Sequence, residues 1–121
     1  MENDVSLRNL AHLGDGVYEL FIREFTITQT QNIKKLHKLT VSYVNAEFQA
    51  NLLEKIEPVL TEKEADIIRR GRNIAVTTSK RINHKLHRIA TAFEALLGYL
   101  YLNDKERLQE ILSLIKTHIE V

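Results

Sequence analysis

The apolar positions of this chain recur three and four residues apart along most of its length, and nowhere do they alternate long enough to mark a strand. Leu10, Leu13, Val17 and Phe21 predict a first helix, capped by Ser6 and running to about Phe25. TITQTQ is polar and rich in β-branched residues and reads as a loop. Asn32 caps a predicted second helix with Ile33, Leu36, Leu39, Tyr43 and Val44 on its inner face. Asn45 caps a third, which carries Phe48, Leu52 and Ile56 and stops before Pro58, since the residue preceding a proline is pushed out of the helical region. Thr61 and Glu64 have the spacing of a capping box and open a fourth helix towards Arg70. NIAVTTSKR, with Thr77, Thr78 and Ser79, reads as a loop. A long helix from about Asn83 to Leu102 presents Leu86, Ala90, Phe93, Leu97 and Leu100 as a core stripe. Asp104 caps the last helix, whose apolar positions are Leu108, Ile111, Leu112, Ile115 and Ile119. The expectation is an all-α fold, a multi-helix domain spanning residues 1–121.

Composition narrows the chemistry. A hydrophobic fraction of 44% over 121 residues suits one core, and a single proline with four glycines favours helices over a turn-rich β fold. The absence of cysteine excludes a disulfide framework, a thiolate metal site and a cysteine nucleophile, and accords with a cytoplasmic location. MENDVSLRNL lacks the basic and apolar regions of a secretory signal, and no apolar run approaches a membrane span, so no membrane association is expected. A net charge of +1 supplies no bulk attraction for nucleic acid, which leaves the local distribution of charge to decide.

Two carboxylates stand out against this background. In LAHLGDGVYELF, Gly14 costs about 1 kcal/mol relative to alanine inside a helix, and beside it Asp15 interrupts a packed pattern. ATAFEALLGYLYL repeats the oddity: Glu94 flanks the core stripe, and Gly98 follows one turn later on the same flank. Glycine lets helix backbones approach closely. If Gly14 and Gly98 meet at a crossing, Asp15 and Glu94 converge, and two carboxylates in a partly dry site repel unless one is protonated or a cation lies between them. A hard divalent ion such as Mg²⁺, keeping several waters, is the natural occupant. The alternative is two separate surface acids, and spacing along the sequence does not decide between these.

A basic segment adds a second element. IIRRGRNIAVTTSKRINHKLHR contains Arg69, Arg70, Arg72, Lys80, Arg81, Lys85 and Arg88 and no acid from Ile67 to Arg88. Gly71 and the Thr/Ser run suit a loop whose N–H groups and hydroxyls meet phosphates, and Asn73 can reach a sugar or phosphate. The alternative is a solvated basic face, in which some of these cations pair with Glu62, Glu64 or Asp66. A metal-binding acid pair beside a phosphate-binding surface points to phosphodiester hydrolysis.

Together, LAHLGDGVYELF, LHKLTVSYVNA, RRGRN and FEALLGYLYL resemble Mini-ribonuclease III, the ribonuclease III-like family that has the catalytic domain and lacks the double-stranded-RNA-binding domain. The resemblance implies an all-helical ribonuclease III fold, a homodimer, Mg²⁺-dependent endonucleolytic cleavage of double-stranded RNA, and maturation of 23S ribosomal RNA precursors. Asp15 matches the aspartate of the family's GD motif and Glu94 the glutamate of its FEAL motif, which implies catalytic and metal-binding roles for both. Full-length ribonuclease III has two further carboxylates, at the positions of Ala11 and Thr91; Mini-ribonuclease III shares both departures, which implies fewer protein ligands and a single well-held ion. RNA affinity then falls to Arg69, Arg70, Arg72, Asn73, Lys80, Arg81 and Lys85. His12 is read as structural or as a contact to water or RNA, and His84 with His87 as RNA-facing or solvated, having no third ligand. The FEALLGYLYL helix is expected to give part of its apolar surface to the dimer interface. A non-catalytic RNA-binding or ribosome-associated protein and a purely structural dimerisation module are the competing readings.

Overall fold

The chain, represented here by a computed structural model, is described over residues 5–74 and 84–120. These form α1 (Leu7–Thr26), α2 (Ile33–Val44), α3 (Ala46–Ile56), a single 3-10 turn (Glu57–Val59), α4 (Glu62–Arg72), α5 (His84–Asn103) and α6 (Lys105–Ile119). No strand occurs among the described residues, so the fold is all-α.

The predicted caps are all occupied. Ser6, Asn32, Asn45 and Asp104 each accept from a backbone N–H of the following first turn, at 3.1, 3.0, 2.8 and 3.0 Å. Thr61 and Glu64 close a reciprocal capping box, each side chain accepting from the other's backbone N–H at 3.1 and 2.9 Å. Glu64, almost fully buried, also receives Arg107 at 2.8 and 3.0 Å, and Arg107 reaches the Val59 carbonyl at 2.9 Å. This pair ties the start of α4 to α6 and satisfies a carboxylate that burial alone would destabilise.

α5 is the central helix. Ala90, Ala92, Phe93 and the unbroken run Ala95 to Leu100 are buried. α1 lies along one side of it, and α3, α4 and α6 pack on the others. Tyr18 and Ile22 of α1, Leu53 and Ile56 of α3, Ile67 of α4 and Ile111 and Ile115 of α6 close one core around it. Most of the apolar surface of α5 is covered by its own chain, and of its large apolar residues Tyr101 and Leu102, at its end, are exposed.

Two expectations are corrected. Ile33 is not on an inner face: it is 74% exposed, and Thr40 is the buried residue of α2. α2 packs only on α1 and α3 among the principal helix contacts, so its first turn overhangs the core. Gly71 is not in a loop. α4 continues through it to Arg72, and a Cβ there would sit 2.8 Å from Ala92 Cα, so glycine lets α4 close on α5. Lys80, Arg81 and the Thr77–Ser79 run lie outside the described residues.

Candidate active site

The site begins with the crossing of α1 and α5. A Cβ built on Gly14 would fall 1.7 Å from the Glu94 carbonyl oxygen and 2.9 Å from the Gly98 nitrogen. One on Gly98 would fall 2.0 Å from the Leu10 carbonyl oxygen. The two backbones touch, and no larger residue fits at either position without parting the helices. Edge-to-face packing of Tyr18 on Phe93, with ring centroids 5.4 Å apart, holds the crossing in register, and the Tyr18 hydroxyl donates to the Tyr43 carbonyl at 2.6 Å, which ties α1 to α2.

Asp15 and Glu94 follow directly from that contact. They sit next to Gly14 and one turn before Gly98, so their carboxylates meet at the edge of the crossing, Asp15 exposed and Glu94 half-buried. Burial first, then the charge of Asp15 and hydrogen bonding with it, push the Glu94 carboxyl up to about 8. The Gln49 amide works in the opposite direction and favours the charged form. Burial, and behind it the negative charge of Glu94, also raises the Tyr18 hydroxyl.

The donor set consists of hard oxygens. Among the described residues no cluster of three or more His, Cys, Asp or Glu side chains converges. A cation at this crossing would therefore take two carboxylates and complete its shell with water, an arrangement that suits Mg²⁺. Ala11 is buried against the core, and the Thr91 hydroxyl donates to the His87 carbonyl at 2.8 Å, so neither adds a charged ligand. An acceptor that sequence reasoning missed lies close by. Gln49 of α3 is 3% exposed, and its Oε1 has no hydrogen-bond partner. Gln49, Leu52, Leu53 and Ile56 form the buried face of α3, where an amide among three aliphatics is out of place. His12 is exposed on α1.

The described basic residues are distributed along one edge. Arg69, Arg70 and Arg72 occupy the last turn of α4, with Asn73 as its exposed C-cap, and Lys85 is exposed near the start of α5. The contact of Gly71 with Ala92 brings this end of α4 alongside α5 two residues before Glu94. Each arginine is paired: Arg69 and Arg70 with Asp66, the latter at 3.0 Å, and Arg72 with Glu57 at 3.3 Å.

Comparison with known proteins gives this arrangement a context. The ribonuclease III domain model matches residues 8–105. A Mini-ribonuclease 3 from Thermosynechococcus vestitus is 49% identical over 110 residues, covering 91% of this chain and 73% of its own. A Mini-ribonuclease 3 from a Thermoanaerobacter species is 49% identical over 114 residues, covering 92% of this chain and 80% of its own. The crystal structure of a Fusobacterium nucleatum protein superposes with a TM-score of 0.83 at 32% identity, covering 96% of this chain and 95% of that one. The chain belongs to the Mini-ribonuclease 3 family, endoribonucleases built on a ribonuclease III domain.

Proposed function

We propose that this protein is a Mg²⁺-dependent endoribonuclease that cleaves double-stranded RNA as a homodimer, and that it matures the ends of 23S ribosomal RNA precursors in the cytoplasm. The observation that carries the reading is the meeting of Asp15 and Glu94 across the Gly14–Gly98 contact in a chain of this family. Asp15 and Glu94 are the metal ligands and the catalytic carboxylates. Asp15 and Glu94 would hold a divalent cation, whose chemistry there would be activation of a water and compensation of the charge on the phosphate. Asp15, exposed, faces the incoming RNA; Glu94, half-buried, fixes the inner side of the site.

Arg69, Arg70, Arg72, Asn73 and Lys85, with Lys80 and Arg81 beyond the described residues, bind the RNA backbone. Their ion pairs do not forbid this, because exposed pairs are worth only about 0–1 kcal/mol and exchange readily for phosphate. Recognition then rests on phosphates, 2′-hydroxyls and helix shape, since side chains do not read the deep major groove of A-form RNA.

Cutting both strands requires two sites at a fixed separation, which a two-fold dimer supplies. A groove of about 380 Å³ lined by Leu13, Val17, Leu20, Phe21, Tyr101 and Leu112 supports that assembly. Leu20 on its rim is 60% exposed and Tyr101 40%, an apolar surface suited to burial by a second copy.

The test is cleavage of long double-stranded RNA by the purified protein, with and without Mg²⁺. Defined fragments are expected only with the metal, with single-stranded RNA of the same sequence spared. Asp15→Asn should reduce the rate by about 10³-fold or more, in the range typical for loss of a principal electrostatic group, while melting temperature and RNA binding hold. Full activity of Asp15→Asn, or undiminished cleavage in excess chelator, would refute the reading.

A further inference from the structure

The acid pair leaves a third polar side chain beside it unexplained. Gln49 is buried on the inner face of α3, where Leu52, Leu53 and Ile56 supply the other positions. Its Nε2 donates to the Val44 carbonyl at 2.9 Å and so fastens the corner between α2 and α3. The same amide lies against the Glu94 carboxylate. Its Oε1 is buried and has no partner. Burying a polar group without a partner is unfavourable, and an aliphatic side chain of the same volume would fill this position without that cost. The amide thus carries an acceptor that the fold does not use.

A carbonyl oxygen accepts and never donates, and once a bound cation holds Asp15 and Glu94 in their charged forms neither carboxylate donates to it. The missing partner is a donor. Water bound to a divalent cation is such a donor, because its hydrogens point away from the ion, and amides or carboxylates that receive them orient the ligands. Resting on the reading that Asp15 and Glu94 hold the cation, we propose that Gln49 is a positioning residue of that site: its Nε2 end, anchored on the Val44 carbonyl, steadies Glu94, and its Oε1 accepts from a water of the cation's shell. Two protein carboxylates leave most of the shell to water, and Gln49 orients part of that water from a third helix.

Mn²⁺ binding to the protein without RNA, followed by the resonance signal of the free ion, tests this apart from catalysis. Gln49→Leu and Gln49→Met keep the volume and remove both polar ends. Each should weaken Mn²⁺ binding by about tenfold, at the lower end of what losing such a partner does. The Mg²⁺ concentration for half-maximal cleavage should rise by a similar factor, with a smaller fall in rate at saturating Mg²⁺; loss of the bond to the Val44 carbonyl should lower the melting temperature modestly and leave the protein folded in the assay. Asp15→Asn in the same assay should abolish Mn²⁺ binding. If Asp15→Asn loses Mn²⁺ while both Gln49 variants bind it like the parent, the proposal for Gln49 is overturned and Oε1 holds an ordinary buried water. If Asp15→Asn itself binds normally, the cation reading fails and takes this one with it. A measurement on the unaltered protein needs no variant to fold: the side-chain amide resonances of Gln49 should shift on saturation with Mg²⁺, and an unmoved signal overturns the proposal.

Discussion

Two charged regions of this protein are built in opposite ways. At the end of α4, Arg69 and Arg70 stand on the surface and Arg72 is half-buried, and each meets an acid: Asp66 receives Arg69 and Arg70, and Glu57 receives Arg72. The hydrogen bond from Arg69, ahead of that from Arg70, holds the Asp66 carboxyl below its usual range. At the α1–α5 crossing two carboxylates face each other, half of the pair is partly buried, and no ion pair reaches either one among the described residues. The first arrangement relaxes itself in water. The second is held against its own repulsion by a helix contact too close to yield. An electrostatic cost maintained by rigid packing marks where a cation is expected, whereas a neutralised surface marks only where charge is available for exchange.

The sharpest way to break this contrast is to part the helices. Gly14→Ala places a methyl 1.7 Å from a backbone oxygen of α5, which has no rotamer through which to move away. Unfolding free energy should drop by about 3 kcal/mol or more, at or beyond the upper end for overpacked sites. Gly16, two residues on, has open space where a methyl would go, with nothing within 4 Å, and Gly16→Ala should raise stability by about 0.5–1 kcal/mol through helix propensity alone. Urea unfolding of both variants measures the difference. Equal stabilities would mean that the crossing is loose and that nothing holds the carboxylates together.

The same crossing shows what is legible in the sequence. Caps are local chemistry, so Ser6, Asn32, Asn45, Thr61 and Asp104 can be read directly, and each makes the bond its position predicts. Glycine beside carboxylate on two amphipathic helices points to convergence, but only the fold brings residues 14 and 98 into contact. Periodicity reports that a helix has an apolar stripe and not how much of it is covered, which is why Ile33 reads as internal and yet overhangs. Gly71 in a basic run reads as a turn because its reason, Ala92 on another helix, is far away in sequence. Gln49 escapes notice because a buried stripe is recognised by its aliphatic members, and an amide among them looks like a polar residue facing water.

A smaller effect separates the regions by pH. With the Glu94 carboxyl at about 8 in the folded protein and near 4.5 when unfolded, the folded state keeps a proton that the unfolded state releases. Below about 4.5 both forms are protonated and the group contributes nothing. Between the two values the stability of the metal-free protein falls as pH rises, and above about 8 the loss is complete. The loss attributable to this group should be about 2–4 kcal/mol, read as the difference between the parent and Glu94→Gln across that window. Saturating Mg²⁺ should flatten the slope, because a bound cation favours the charged carboxylate. A metal-free parent and a Glu94→Gln variant with parallel stability profiles would show that the pair is not under strain.

The smallest expected effect lies on the self-neutralised side. Asp66 shares its charge between Arg69 and Arg70 and is exposed, so Asp66→Asn should leave the melting temperature nearly unchanged. What changes is the charge available to RNA. Two guanidinium groups that must give up an acid before meeting phosphate become free to meet it at once. Binding of double-stranded RNA should tighten by about two- to threefold at low salt, and the fall of affinity with salt should steepen by about one counterion's worth. Cleavage at saturating RNA should stay as it is, since the substitution leaves the crossing intact. Filter binding of Asp66→Asn across a salt series, with Asp15→Asn in the background to prevent cleavage, measures the effect. Weaker binding would reverse the interpretation: Asp66 would then be aiming the two arginines rather than occupying them, and the ion pairs at the end of α4 would belong to the RNA-binding surface itself.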